Sequence, residues 1–213
     1  MRGLSILLSV LLLSAGLVYA EDRDVTAPED TVVGFPAGEG AWPANEAPQY
    51  LIDNNTGTKY LHFNFDTANP SGLVITPVMG ATTVRGIRFA SANDAAERDP
   101  MSYRLEGSND DGTTWTLIAT GSIPDFADPA WSRLTWTTTP MVFSNETTYL
   151  SYRLTFLTVR GNGTLFQLAE AELLGTPING WPADVTVTPA VTVIRLPENT
   201  LAIDATVTDV DSE

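Results

Sequence analysis

The residues of this 213-residue chain that could carry chemistry are few in kind. There is one histidine, His62, and no cysteine. Neither a cysteine–histidine pair nor a triad built on another histidine can be assembled, and His62, lying between Leu61 and Phe63 in an alternating run, has no serine partner by pattern. Thiolate metal sites and iron–sulfur clusters are excluded with the cysteines. Carboxylates are abundant, 26 Asp and Glu against 11 Lys and Arg. Two of them could in principle flank a glycosidic bond, but no segment offers a helical or barrel scaffold to hold such a pair. No phosphate loop or dinucleotide fingerprint is present. One short loop does concentrate oxygen donors: Asp53, Asn55 and Thr58. Carboxylate, amide and hydroxyl oxygens suit a hard cation, and the same residue types also cap turns unaided.

The elements that must position these residues read as strands. Lys59–Phe65, Gly72–Val78, Val84–Ala90, Ser102–Gly107, Trp115–Thr120, Ser132–Trp136, Tyr149–Thr158 and Phe166–Gly175 are short alternating or apolar runs rich in Thr, Val, Tyr, Phe and Trp, as β propensity favours. No segment keeps a helical period. Many short strands with turns between them predict an all-β sandwich or jelly roll. Ahead of them, Arg2, the apolar run Leu4–Val18 and the small-x-small pattern Val18-Tyr19-Ala20 form a secretory signal peptide over residues 1–20. The expected location is therefore secreted, extracellular or at the cell surface, without membrane insertion, since the apolar run falls short of a span. A secreted chain without disulfides depends on its core. The formal net charge of −15 repels phosphate backbones and anionic lipid, so nucleic acid is not an expected partner.

Residues 21–48 are polar and rich in Gly, Pro and Glu, and read as a leader. Residues 49–176 form the main domain, 177–183 a linker, and 184–213 open a new alternating pattern too short for a complete domain.

The run Tyr103–Ile118, "YRLEGSNDDGTTWTLI", alternates, turns through Asp and Gly, and resumes on a tryptophan, which is a β-hairpin by period and turn chemistry. It resembles the central hairpin of discoidin domains, the coagulation factor V/VIII C-type or galactose-binding-like family, and in particular its bacterial members, the family 32 carbohydrate-binding modules. Three further pieces are similar in order. "LIDNNTGTKYLHF" at Leu51–Phe63 resembles the family's first loop, "YLSYRLTFLT" at Tyr149–Thr158 its penultimate core strand, and "LFQLAEAELLG" at Leu165–Gly175 its terminal strand. The C-terminal "LPENTLAIDATVTDVDSE" resembles the first strands of polycystic-kidney-disease-type and cadherin-like immunoglobulin folds.

The resemblance implies a discoidin-like β-sandwich jelly roll, followed by the start of a second, immunoglobulin-like β domain. It implies a non-catalytic module that binds a glycan or cell-surface carbohydrate on behalf of a larger polypeptide. The rival readings are a structural or adhesion module, and an accessory domain of a glycan-active enzyme. It also implies one structural Ca²⁺. By position, Asp53 and Thr58 match the loop ligands, Asn55 gives its side chain or only its carbonyl, and Glu170 matches the terminal carboxylate with Ala169 offering a carbonyl. Glu172 faces the same side as Glu170, and the choice between them stays open here. Asn54 stands where the family has a glycine, and Asn tolerates the left-handed turn best among other residues. Sugar sites in this fold sit on loops at one end. The candidates are Asn93, Asp94 and Arg98 in the Ser91–Pro100 loop, Phe126 and Trp131 in the Pro124–Trp131 loop, and Arg160 and Asn162 in the Arg160–Gly163 turn. Each has a plain alternative: an Arg98–Asp99 ion pair, Trp131 in the core, Asn162 as a turn residue.

Overall fold

A computed structural model describes residues 22–161 and 163–178. The expected signal peptide, Asn162, most of the linker and the expected second domain lie outside the described residues. Among the described residues eleven strands run in chain order: β1 (Arg23–Asp24), β2 (Thr31–Phe35), β3 (Tyr60–His62), β4 (Gly72–Thr76), β5 (Thr82–Ala90), β6 (Pro100–Ser108), β7 (Thr116–Ser122), β8 (Met141–Val142), β9 (Ser151–Val159), β10 (Phe166–Leu168) and β11 (Glu170–Pro177). They make a four-stranded sheet ordered β1-β11-β5-β8, a five-stranded sheet ordered β2-β4-β9-β6-β7, and a small pair, β3 with β10. The pairings are antiparallel.

Alternation decides which face each strand buries. Tyr152, Leu154 and Phe156 of β9 point inward with Leu73 and Ile75 of β4 and Tyr103 and Leu105 of β6. From the other sheet come Val84, Ile87 and Phe89 of β5 with Ala171 and Leu173 of β11. The opposite faces of β6 and β9 carry Arg104, Glu106 and Arg153. Burying each large apolar side chain contributes roughly 1.5–3 kcal/mol, which is how a chain without cysteine holds two sheets together. Among the described residues no helix is long and apolar enough to cross a membrane.

Three features depart from the sequence reading, and each bears on the site. The residues read as a leader supply edge strands to both sheets, β1 against β11 and β2 against β4. Ser132–Trp136 is not a strand. It meets the sheet at the Ala90–Trp136 bridge, made by Ser91 N–H to Thr135 O at 3.1 Å and Thr137 N–H to Phe89 O at 2.8 Å, while Ser132 O accepts from the Ser91 hydroxyl at 2.8 Å. The terminal run is broken at Ala169. Phe166–Leu168 pairs with β3, whereas Glu170 onward pairs with β5. Ala169 makes the change of partner, its N–H donating to Ala90 O at 3.0 Å. That change brings the start of β11, and Glu170, to the end of the sandwich where β5 gives way to the Ser91–Asp99 loop.

Candidate functional site

The Ser91–Asp99 loop joins two core strands and is clamped on three sides. Ser91 Oγ donates to Ser132 O at 2.8 Å, and Arg133 Nε donates to Ala92 O at 2.8 Å. Asp99 is fully buried, at 0% exposure. Both its oxygens accept from the Arg133 guanidinium, at 2.5 and 2.6 Å, and Arg160 Nη2 stands 3.5 Å away. Asp99 O accepts from Arg160 N at 2.9 Å, and Glu97 O accepts from Gly161 N at 2.7 Å. Burial presses the Asp99 pKa up while the two arginines pull it down, and burial prevails. The partner of Asp99 is thus Arg133, not its neighbour Arg98.

What the clamp leaves outside is the tip. Asn93 and Asp94 are exposed and Arg98 is half-buried. Ala95 adopts a left-handed conformation, φ 42°, which turns the chain back toward the sandwich. Asp94 Oδ1 accepts from Lys59 Nζ at 2.8 Å and from Gln167 Nε2 at 3.1 Å. Lys59 Nζ also donates to Gln167 Oε1 at 3.1 Å and stands 3.6 Å from Glu46. The Lys59 side chain is only 9% exposed while that of Asp94 is 55% exposed, so a buried ammonium fixes an exposed carboxylate. The Lys59 bond is the main cause holding the Asp94 pKa below its ordinary value; the group is an acceptor at neutral pH. Among the described residues Arg98 has no ion-pair partner. Asn93, Asp94 and Arg98 therefore present an amide, a carboxylate and a guanidinium together, a set able to give and take hydrogen bonds with paired hydroxyls.

The other nominated residues fall elsewhere. Phe126 is a core residue at 0% exposure and offers no face for stacking; its selection as a sugar contact is corrected by its place in the short turn Pro124–Ala127, which points the ring inward. Arg160 serves structure: its Nε donates to Phe126 O at 2.7 Å, beside Asp99. Trp131 lies half-buried against the core with its Nε1 buried and unpartnered. Asn162 lies outside the described residues. Lys59, Gln167, Glu46 and Arg133 were not singled out from the sequence. Lys59 and Gln167 carry a signal in hindsight of the pairing alone, as polar residues flanking the buried positions Tyr60 and Leu168, which are partners across β3 and β10.

Immediately before Lys59 comes the oxygen-rich loop. Asn54 holds φ 60°, the left-handed turn the sequence requires there. Thr58 Oγ1 lies 2.9 and 2.8 Å from the two Asp53 carboxylate oxygens and 2.7 Å from Asn55 O. Asn55 N–H donates to Asp53 Oδ1 at 3.1 Å and to Glu170 Oε1 at 2.7 Å. Glu170 is wholly buried, and its Oε2 has no hydrogen-bond partner. Burial first, then the adjoining Asp53 carboxyl, pushes the Glu170 pKa up to about 9, against the opposing Asn55 N–H. Glu172 is differently employed, paired with Arg88, whose guanidinium lies 4.4 Å over the Trp136 ring. Among the described residues no group of three or more His, Cys, Asp or Glu side chains comes together for a metal. Two carboxylates, a hydroxyl and a main-chain carbonyl do come together, and one carboxylate oxygen is orphaned in the interior. Such a donor set fits a hard cation rather than a soft one.

His62 is structural. Its ring stacks on Phe166 at 5.7 Å, Nδ1 accepts from Asn64 N at 3.1 Å, and Nε2 lies 3.2 Å from Pro36 O. Burial lowers its pKa, so it is neutral at physiological pH, with Nε2 as the donor.

No family model matches the chain. A curated relative, peptide-N(4)-(N-acetyl-beta-glucosaminyl)asparagine amidase of Arabidopsis thaliana, is 40% identical over 70 residues. The match covers 33% of this chain, which spans only 9% of that protein. Among solved structures, the family 32 module of Clostridium perfringens NanJ in complex with galactose superposes with TM-score 0.52 at 15% identity, covering 72% of this chain and 98% of the module. A second Clostridium perfringens family 32 module, in complex with GalNAc-beta-1,3-galactose, gives TM-score 0.52 at 14% identity over 71% and 99%. Chitosan-binding module 1 of a Paenibacillus chitosanase/glucanase gives 0.50 at 19% identity over 71% and 98%. The described part of this chain thus has the discoidin-like β-sandwich fold of the family 32 carbohydrate-binding modules.

Proposed function

We propose that this chain is a secreted, non-catalytic carbohydrate-binding module that holds a larger polypeptide to a glycan or cell surface. The observation that carries the reading is the tip of the Ser91–Asp99 loop. Asn93, Asp94 and Arg98 expose three planar polar groups on a loop whose base is locked by Asp99 and Arg133. Planar groups of this kind bind vicinal sugar hydroxyls pairwise, and locking the loop beforehand lowers the entropy lost on binding. Structural neighbours with galactose and GalNAc-beta-1,3-galactose bound support the ligand class.

A Ca²⁺ ion belongs to the same reading. Asp53, Thr58, the Asn55 carbonyl and Glu170, with the Ala169 carbonyl adjoining, would hold it. A bound cation would neutralise the two carboxylates that the fold forces together and satisfy Glu170 Oε2. Its role would be positional. The loop runs directly into Lys59, so fixing the loop fixes the ammonium that holds Asp94. A second reading, an accessory domain within a glycan-active enzyme, is favoured by the segment shared with the Arabidopsis amidase.

The test is a glycan array probed with the whole chain, once with Ca²⁺ and once with chelator. Binding to a defined glycan class, weakened by chelator, is the expected result. A blank array for a folded protein overturns the reading.

A further inference from the structure

The outer face of the five-stranded sheet holds a trough of about 730 Å³ that shares no lining residue with the loop tip. One wall is the hairpin turn at Asp111, Gly112 and Trp115. The other is edge strand β2, with Val33 and Phe35. The floor includes Arg153 and Thr155 of β9 and Arg104 of β6. It crosses from β2 to β6, three inter-strand spacings or roughly 14 Å.

The floor is polar and incompletely paired. Thr155 is 1% exposed, yet its Oγ1 has no partner. Arg104 Nε is buried and also unpartnered; it stands 3.2 Å from Glu106 Oε2 without the alignment of a hydrogen bond. Arg153 Nε donates to the same oxygen at 2.9 Å, and its guanidinium lies 4.6 Å over the Trp115 ring. Two guanidinium groups thus share one carboxylate, which leaves donor capacity unused. A buried hydroxyl or guanidinium N–H without a partner is unfavourable, and an acceptor-rich occupant would remove that cost. Val33 opposite, 55% exposed, adds an apolar wall.

We infer that this trough is a second binding site, for a linear glycan chain. The occupant must be long, apolar on one side and hydroxylated on the other, which is the character of linked pyranose rings. A peptide is the poorer match. The main-chain groups of β4, β9 and β6 are spent on neighbouring strands, so the floor has only side chains to offer and the peptide's own amides would go unpaired. The inference takes its ligand class from the proposed function but not its place. The loop tip would take a sugar at a chain end, whereas the open trough would take the middle of a chain.

The test is calorimetric titration of the whole chain with linear hexasaccharides of β-1,4-linked glucose, xylose and mannose and of α-1,4-linked galacturonate. At least one should bind. Thr155→Val, which removes only the unpartnered hydroxyl, should weaken that binding at least tenfold while melting no lower than wild type. Val33→Glu, on an exposed edge, should weaken it likewise by engaging Arg153. The double variant Asn93→Ala/Arg98→Ala, which removes chain-end binding at the loop tip, should retain a binding event that Thr155→Val and Val33→Glu still weaken tenfold. Salt-sensitive binding of galacturonate alone would assign a uronate chain, and salt-insensitive binding of the others a neutral one. The inference is overturned if no hexasaccharide binds, or if binding ignores the trough variants. It stands if the array is blank but a hexasaccharide binds and the trough variants weaken it. It alone falls if the array gives a loop-dependent ligand and no hexasaccharide binds.

Discussion

Lys59 and Asp94 are separated by 35 positions in the chain, yet the buried ammonium of one lies 2.8 Å from the exposed carboxylate of the other. Lys59 immediately precedes β3 and Asp94 tips the loop after β5, and Gln167 on β10 bridges them. The arrangement holds an exposed acceptor in place without covering it. Lys59→Met should therefore raise the Asp94 pKa toward its ordinary 3.8, because the hydrogen bond that favours the carboxylate is gone. Titration of the Asp94 carboxyl carbon by NMR checks this; an unchanged midpoint contradicts the assignment of Lys59 as the cause.

The clamp beneath the loop is a matter of stability. Arg133→Ala would leave the buried Asp99 carboxylate with only Arg160 nearby, and breaking a buried pair from one side costs about 3–5 kcal/mol. For a domain of this size that is a loss of roughly 10 °C in melting temperature. Calorimetry that finds less than about 1 kcal/mol lost would mean that the pair is not formed as described.

Asp24 gives the fold a pH dependence. Burial lifts its pKa from 3.8 to about 6, outweighing the N–H and hydroxyl of Thr26; Glu172 of β11 pushes the same way and Arg88 of β5 opposes. The folded chain holds this proton more tightly than the unfolded chain. The contribution to stability is thus full below about pH 4 and is lost as the pH rises past about 6. Asp24→Asn stays neutral, so its stability relative to wild type should improve between pH 4 and pH 7 by roughly 1–2 kcal/mol, allowing for partial exposure. Urea denaturation at both pH values checks the sign. A difference that is flat with pH contradicts it.

Calcium at a hundredfold over its dissociation constant should stabilise the chain by about 2.7 kcal/mol, a rise of roughly 5–10 °C. Glu170→Gln should abolish the response while leaving the metal-free protein folded, since Glu170 is protonated there at neutral pH. An undiminished calcium shift in that variant would remove Glu170 from the ligand set.

How much of this was legible beforehand follows from what each residue does locally. The core strands announce themselves by period two, as Tyr152, Leu154 and Phe156 do on β9. Asn54 announces its left-handed turn by residue type. The break at Ala169 does not show, because Phe166–Gly175 keeps a strand-like composition through a change of partner that only the tertiary fold dictates. Phe126 was misplaced for the opposite reason: an aromatic in a Pro- and Asp-rich loop looks exposed, and only the turn geometry shows the ring buried. β1 and β2 were hidden in a polar segment because edge strands bury one face or none. Lys59 and Gln167 could not be paired from sequence, since nothing local tells that β3 and β10 are neighbours.

The central claim is that the loop tip binds sugar. The direct measurement is the affinity of the strongest array ligand for wild type and for Asn93→Ala/Arg98→Ala, with melting temperatures taken alongside. The account predicts at least a tenfold loss, about 1.4 kcal/mol, with melting unchanged because neither side chain is in the core. Equal affinity in a folded double variant would contradict it and move the glycan site away from this loop.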